Sequence, residues 1–295
     1  MNDIFTLFAH SFWGAMIVGA VCPLIGVFFV VRRVVFLGIA VPQFAAAGVA
    51  FGFMALPWWC EWFGNPGDDP FEAGGNFSFY LCCAVLSTLV ALLILALLAR
   101  KDGAASEGRI AAGYAFAAAV TLLLLSGSAR GSSHLQALFR GEILALSRGD
   151  LWIIVILFGM VLVLFLLFNK HFLLVGYDRE AAISLGYNPL LWDILLYTLV
   201  GTSISVGVLT VGPLVIFGLM VIPPLAARLL AFNMMSFYLL SSAIGLITAV
   251  LGFVLSYRLD WPLGPTDVVL SFAIMTWVWM IRGLGMMIFR SGQAG

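Results

Sequence analysis

From Leu151 to Phe168 the chain reads LWIIVILFGMVLVLFLLF, 18 residues without a charge. As a helix rising about 1.5 Å per residue, such a run covers about 27 Å, close to the hydrocarbon thickness of a bilayer. Eight further apolar runs accompany it. Together the nine lie near 10–31, 36–56, 77–99, 110–127, 151–168, 190–210, 211–227, 234–256 and 266–285. In lipid the backbone must satisfy its own polar groups, which leaves helices or closed barrels, and the alternating pattern of barrel strands is absent. Composition agrees. Hydrophobic residues make up 63% of the 295 and charged residues 9%, more apolar surface than a water-soluble chain can hide. The sequence predicts an all-α integral membrane protein, a helical bundle of about 8–9 spans forming one polytopic domain over residues 1–295.

Basic residues give the expected orientation. With Arg32 and Arg33 placed inside, Arg100, Lys101, Arg109, Lys170, Arg179, Arg228, Arg282 and Arg290 fall on the same side, and Arg130, Arg140, Arg148 and Arg258 opposite. That split of 10 against 4 follows the positive-inside rule, with the N-terminus outside and the C-terminus inside. The first run carries its arginines on its far flank and lacks a basic start, so it reads as a span and not a cleaved signal. Segments 57–76 and 128–150 become outer loops, the first with Glu61, Asp68, Asp69 and Glu72 beside Trp58, Trp59 and Trp62. Segment 169–189 becomes an inner connection containing a short helix, DREAAISLG, closed by Gly186.

Several function classes fall away. With 14 basic and 14 acidic residues there is no net positive field for nucleic acid. Cys22, Cys60, Cys82 and Cys83 form no C-x-x-C pair, and His10, His134 and His171 no H-E-x-x-H. Neither a nucleophile elbow nor a nucleotide-binding loop is present, so the chain reads as no enzyme, with no cofactor of its own. Any driving energy comes from another subunit or an ion gradient.

Ionisable residues inside a membrane are costly and therefore candidates for function. Asp193, near the start of the sixth run, reads as a pathway residue or as an interfacial anchor. Asp267, after Gly264-Pro265-Thr266, reads as a pathway residue or as a helix cap. Glu142 reads as lining an outer mouth. Small residues stand out in the second run, Gly38, Ala45-Ala46-Ala47, Gly48 and Gly52, which permits close or sliding helix contacts. In VIPPLAARLLAFN, Pro223-Pro224 predicts the end of one helix and the start of another, a short one bearing Arg228.

Five stretches carry a family resemblance: GVFFVVRRVVFLGIAVPQFAAAGVAFG (26–52), LFRGEILALSRGDL (138–151), DREAAISLG (178–186), VGPLVIFGLMVIPPLAARLL (211–230) and LDWPLGPTDVVLS (259–271). In this order and spacing the chain resembles the membrane permeases of ABC importers of the zinc/manganese/iron type. The resemblance implies a homodimer around a central pathway in a bacterial inner membrane. It also implies a periplasmic substrate-binding protein and a cytoplasmic ATPase that consumes the ATP. By the same resemblance Ile222, Pro223, Pro224, Ala227 and Arg228 belong to a coupling helix at about 222–232, flanked by Asp178 and Glu180 of the 178–186 helix. One departure is plain. The family's G-D-x-L-x-H-A span carries an Asp and a His that meet the metal, and here Ile39 and Gln43 stand at those places. An aliphatic side chain cannot ligate, and an amide is a poor zinc ligand. A His often carried in the fourth span is also missing from IAAGYAFAA (110–118). Two expectations follow: a divalent transition metal or metal chelate passing Gln43, Gly48, Glu142, His134, Asp193 and Asp267, or a non-metal small solute. A gradient-driven secondary transporter is a third alternative.

Overall fold

The structure, a computed structural model, describes residues 9–63, 77–99, 106–126 and 148–293. Ten helices are seen among them: α1 (Ala9–Val31), α2 (Val35–Phe63), α3 (Phe77–Ala99), α4 (Ser106–Ser126), α5 (Arg148–Tyr177), α6 (Arg179–Ser184), α7 (Pro189–Val211), α8 (Pro213–Leu230), α9 (Met234–Leu259) and α10 (Leu263–Gln293). All but α6 are long and apolar enough to cross a membrane, matching the nine apolar runs.

The helices sort by burial. α1, α2, α7 and α8 form the interior of the bundle, while α3, α4 and α5 are largely exposed along their lengths. α1 packs on α9 and α8, α2 on α3 and α4, and α8 also on α10. Phe28 of α1 meets Phe165 and Phe172 of α5 edge to face, with ring centroids 5.2 and 6.1 Å apart. Such pairs add a directional preference to simple burial. Small residues bring backbones together elsewhere. A Cβ on Gly26 of α1 would overlap the main chain of Met220 in α8, so only glycine allows that crossing.

That crossing bears on the double proline. The expected break at Pro223-Pro224 does not occur: α8 runs unbroken from Pro213 to Leu230. Pro224 has no N–H to give the carbonyl of Met220, four residues earlier. That carbonyl is the atom Gly26 lies against. Membrane helices tolerate proline where a neighbour attends to the freed group.

The connections differ from expectation in extent. The stretch expected as a loop at 57–76 begins as helix, since α2 runs on to Phe63. Of segment 128–150, residues 148–150 already belong to α5, which reaches Tyr177 and so takes up much of the 169–189 connection. What remains there is α6, capped by Asp178 through a 2.8 Å bond from Ala181 N and closed by Gly186 at φ 82°. The start of α9 carries a reciprocal capping box between Asn233 and Ser236.

Candidate functional site

At one end of the bundle Arg32 closes α1, followed by Arg33 in the left-handed region at φ 57°. The Arg32 guanidinium donates to Asp193 Oδ1 at 2.7 Å and to the Phe172 carbonyl at 3.4 Å. Gly176 of α5 leaves room beside it, where a Cβ would come within 3.1 Å of Nε. Arg179 of α6 approaches the other Asp193 oxygen at 3.6 Å. Both carboxylate oxygens are thus engaged by arginines, and Asp193 joins α1, α6 and α7. The sequence left a pathway role and an interfacial anchor open, and the structure adds the two arginine contacts at the junction of these helices. His171 stacks on Trp192 with centroids 4.3 Å apart and planes 7° from parallel, and meets Tyr187 edge to face.

The surface of this end is apolar where the chain turns between α8 and α9. Phe232 is 99% exposed, with Leu230 and Met235 beside it in sequence and also exposed. Tyr177 Oη reaches Met234 Sδ at 3.9 Å, which links this turn to the foot of α5. Beyond that foot α6 presents Ile183 and Leu185. Among the residues expected to form a coupling helix, Arg228 is exposed, Ile222 is half-buried, and Pro223, Pro224 and Ala227 are buried within the bundle. The free-standing short helix predicted after the prolines is therefore replaced by the last turns of α8. Asp178 is occupied as a cap and Glu180 is exposed. Phe232 escaped the sequence reading because a lone aromatic in a turn carries no periodic signal.

Within the bundle, Gln43 of α2 is buried. Gly48, one turn and a residue on, faces α3, where a Cβ would come within 2.6 Å of the Cys83 carbonyl. Its evident role is close packing. Nearby, Ser87 donates to the Phe44 carbonyl at 2.9 Å, and Thr88 shares a 3.0 Å bond with Ser205 of α7. An apolar cleft of about 770 Å³ opens between α2, α3 and α4, lined by Phe44, Gly48, Ser87, Gly113 and Phe116 among others.

At the opposite end Asp267 is 2% exposed, although it sits in the first turns of α10. It packs directly against Gly252 of α9. Glu142 and His134 lie outside the described residues. Among the described residues, no three His, Cys, Asp or Glu side chains gather as a metal site would require.

A profile of the ABC 3 transport family matches residues 5–282. The chain belongs to that family. It is a multi-pass membrane permease of an ABC importer. Similar proteins include the chelated iron transport system membrane protein YfeC of Yersinia pestis, 29% identical over 88% of this chain and 81% of that one. The manganese import system permease protein ScaB of Streptococcus parasanguinis is 26% identical over 87% of this chain and 84% of its own. Among solved structures, PsaBC from Streptococcus pneumoniae in complex with Fab superposes with a TM-score of 0.78 over 94% of both chains, at 23% identity. That likeness is one of fold.

Proposed function

We propose that this permease forms, as a homodimer in a bacterial inner membrane, the pathway by which a divalent transition metal or its chelate enters the cytoplasm. A separate ATPase subunit supplies the energy from ATP and a periplasmic receptor delivers the substrate. Relatives named for manganese and chelated iron support the substrate class. The orientation that places Arg32, Arg33, Arg179, Arg228 and Arg282 in the cytoplasm supports it too, by the positive-inside rule.

The observation that carries the reading is the fully exposed Phe232 at that basic end, beside the exposed Leu230 and Met235 in sequence. Exposed apolar patches rimmed by charge mark protein interfaces. Phe232 sits in the turn between α8 and α9, at the end of the bundle where a cytoplasmic ATPase would seat. Arg228, four residues before Phe232 in sequence, is exposed as well. A push or pull on the patch acts directly on α8, whose far turns pack on α1 through Gly26 and Met220.

The test is purification of the tagged permease from its native membrane in mild detergent, with mass spectrometry of stoichiometric companions. An ATP-hydrolysing subunit is expected to accompany it. A permease that comes out alone and moves solute in liposomes without ATP overturns the proposal in favour of a gradient-driven transporter.

A further inference from the structure

The side chain of Phe232 stands free, yet its main chain is held from both sides. On the α9 side, the backbone N–H groups of Phe232 and Asn233 donate to Ser236 Oγ at 3.2 and 3.1 Å. Ser236 N donates to Asn233 Oδ1 at 2.7 Å, completing the capping box. On the α8 side, the last bond of the helical ladder runs from Ala231 N to the Ala227 carbonyl at 2.8 Å. The carbonyls of residues 228–230 come after it, among the last four that a helix leaves without an internal partner. One of these, the Leu229 carbonyl, accepts from the Arg282 guanidinium of α10 at 2.6 Å.

Arg282 lies 53 residues from Leu229 in sequence and is itself exposed. Its position at the negative end of α8 is favoured by the helix dipole as well as by the hydrogen bond. α8 and α10 also meet deeper in the bundle, where a Cβ on Gly218 would come within 2.8 Å of Val268. The two contacts occur in the same order along both helices, so α8 and α10 run in parallel and are joined at two depths. A binding anchor whose backbone is fixed beforehand avoids the ordering cost that a loose turn meets on association.

We infer that Arg282 is a positioning residue for partner docking: it clamps the last turn of α8 to α10 and so presents Phe232 to the cytoplasmic ATPase. Arg282 acts through the Leu229 carbonyl and not by touching the ATPase. Ser236 does the same work from the α9 side, so the exposed ring is carried on a turn tied to three helices. The inference rests on the reading of Phe232 as the docking anchor and is independent of which solute is carried.

The experiment compares full-length wild type, Arg282→Gln, Arg282→Lys and Phe232→Asp in one detergent. Two quantities are read: amide hydrogen exchange across residues 228–236 in the permease alone, and the affinity of the permease for the ATPase subunit. Arg282→Gln is expected to speed exchange in that segment and to weaken ATPase binding by about tenfold, the measure of one charge-assisted hydrogen bond. Exchange elsewhere and the unfolding midpoint are expected to match wild type, since Arg282 is exposed. Arg282→Lys can still donate to the carbonyl and is expected to restore binding to within about threefold of wild type. Faster exchange with unchanged affinity overturns the inference, because the clamp is then structural only. Weaker binding with unchanged exchange overturns it too, by making Arg282 a direct contact, and so does no change in either quantity. A failure of the docking reading itself would show separately, as full ATPase binding by Phe232→Asp.

Discussion

Arg32 and Asp193 stand 161 residues apart in sequence and 2.7 Å apart in space. Their side chains are 11% and 15% exposed, so most of each charge is out of water. Neither is stable there alone. The pair ties the last turn of α1 to the first turn of α7, and Arg179 adds α6 to the knot at 3.6 Å.

Removing one member leaves the other charge stranded. Arg32→Ala is expected to cost about 3 kcal/mol, the low end for breaking a buried pair. Arg179 offers Asp193 a longer contact in compensation. The double variant Arg32→Ala/Asp193→Ala is expected to cost less than the two single losses added together. Thermal unfolding of the four proteins in one detergent checks this, and additive losses would show the pair to be uncoupled.

Gly26 is expected to accept no side chain. Gly26→Ala places a methyl on the Met220 carbonyl and forces α1 and α8 apart. A loss of about 2 kcal/mol is expected, within the range of overpacked cores. Gly108, whose Cβ would meet nothing within 4 Å, is the control, and Gly108→Ala is expected to be neutral or slightly stabilising. The same unfolding assay reads both.

Phe232→Asp is expected to abolish co-purification of the ATPase while leaving membrane insertion and the permease dimer unchanged. Truncating a central aromatic anchor commonly costs 2 kcal/mol or more, roughly thirtyfold in affinity. Arg228→Glu, on the rim of the same patch, is expected to weaken the contact less and in a salt-dependent way. Full retention of the ATPase by Phe232→Asp would place docking elsewhere.

The orientation is testable by side-selective labelling. In a background lacking the native cysteines, Phe232→Cys is expected to react with an impermeant thiol reagent only in inside-out vesicles. Trp261→Cys, exposed at the opposite end, is expected to react only in right-side-out cells. The reverse pattern would invert the topology and remove Phe232 from the cytoplasm.

The nine spans were legible because membrane crossing is written in length and hydrophobicity, which a window of one sequence contains. The closing Gly186 was legible for the same reason, being local, whereas the cap at Asp178 emerges only in the structure. The continuity of α8 was not. A double proline predicts a break on local grounds, and what offsets it is Gly26, nearly 200 residues upstream, lying against the freed carbonyl. Asp193 was open between pathway and anchor because its partner Arg32 belongs to another helix. Asp267 read as a cap or a pathway group, and its burial depends on the absence of a side chain at Gly252. The departure at Ile39 and Gln43 was visible in sequence, whereas the burial of Gln43 is a matter of helix packing.

The most direct measurement is uptake of radioactive manganese(II) into proteoliposomes holding the permease, its ATPase and its receptor. Uptake that requires ATP and the receptor, and that stops in Phe232→Asp, is the predicted result. Uptake by the permease alone, driven by a proton or sodium gradient and indifferent to ATP, would contradict the account.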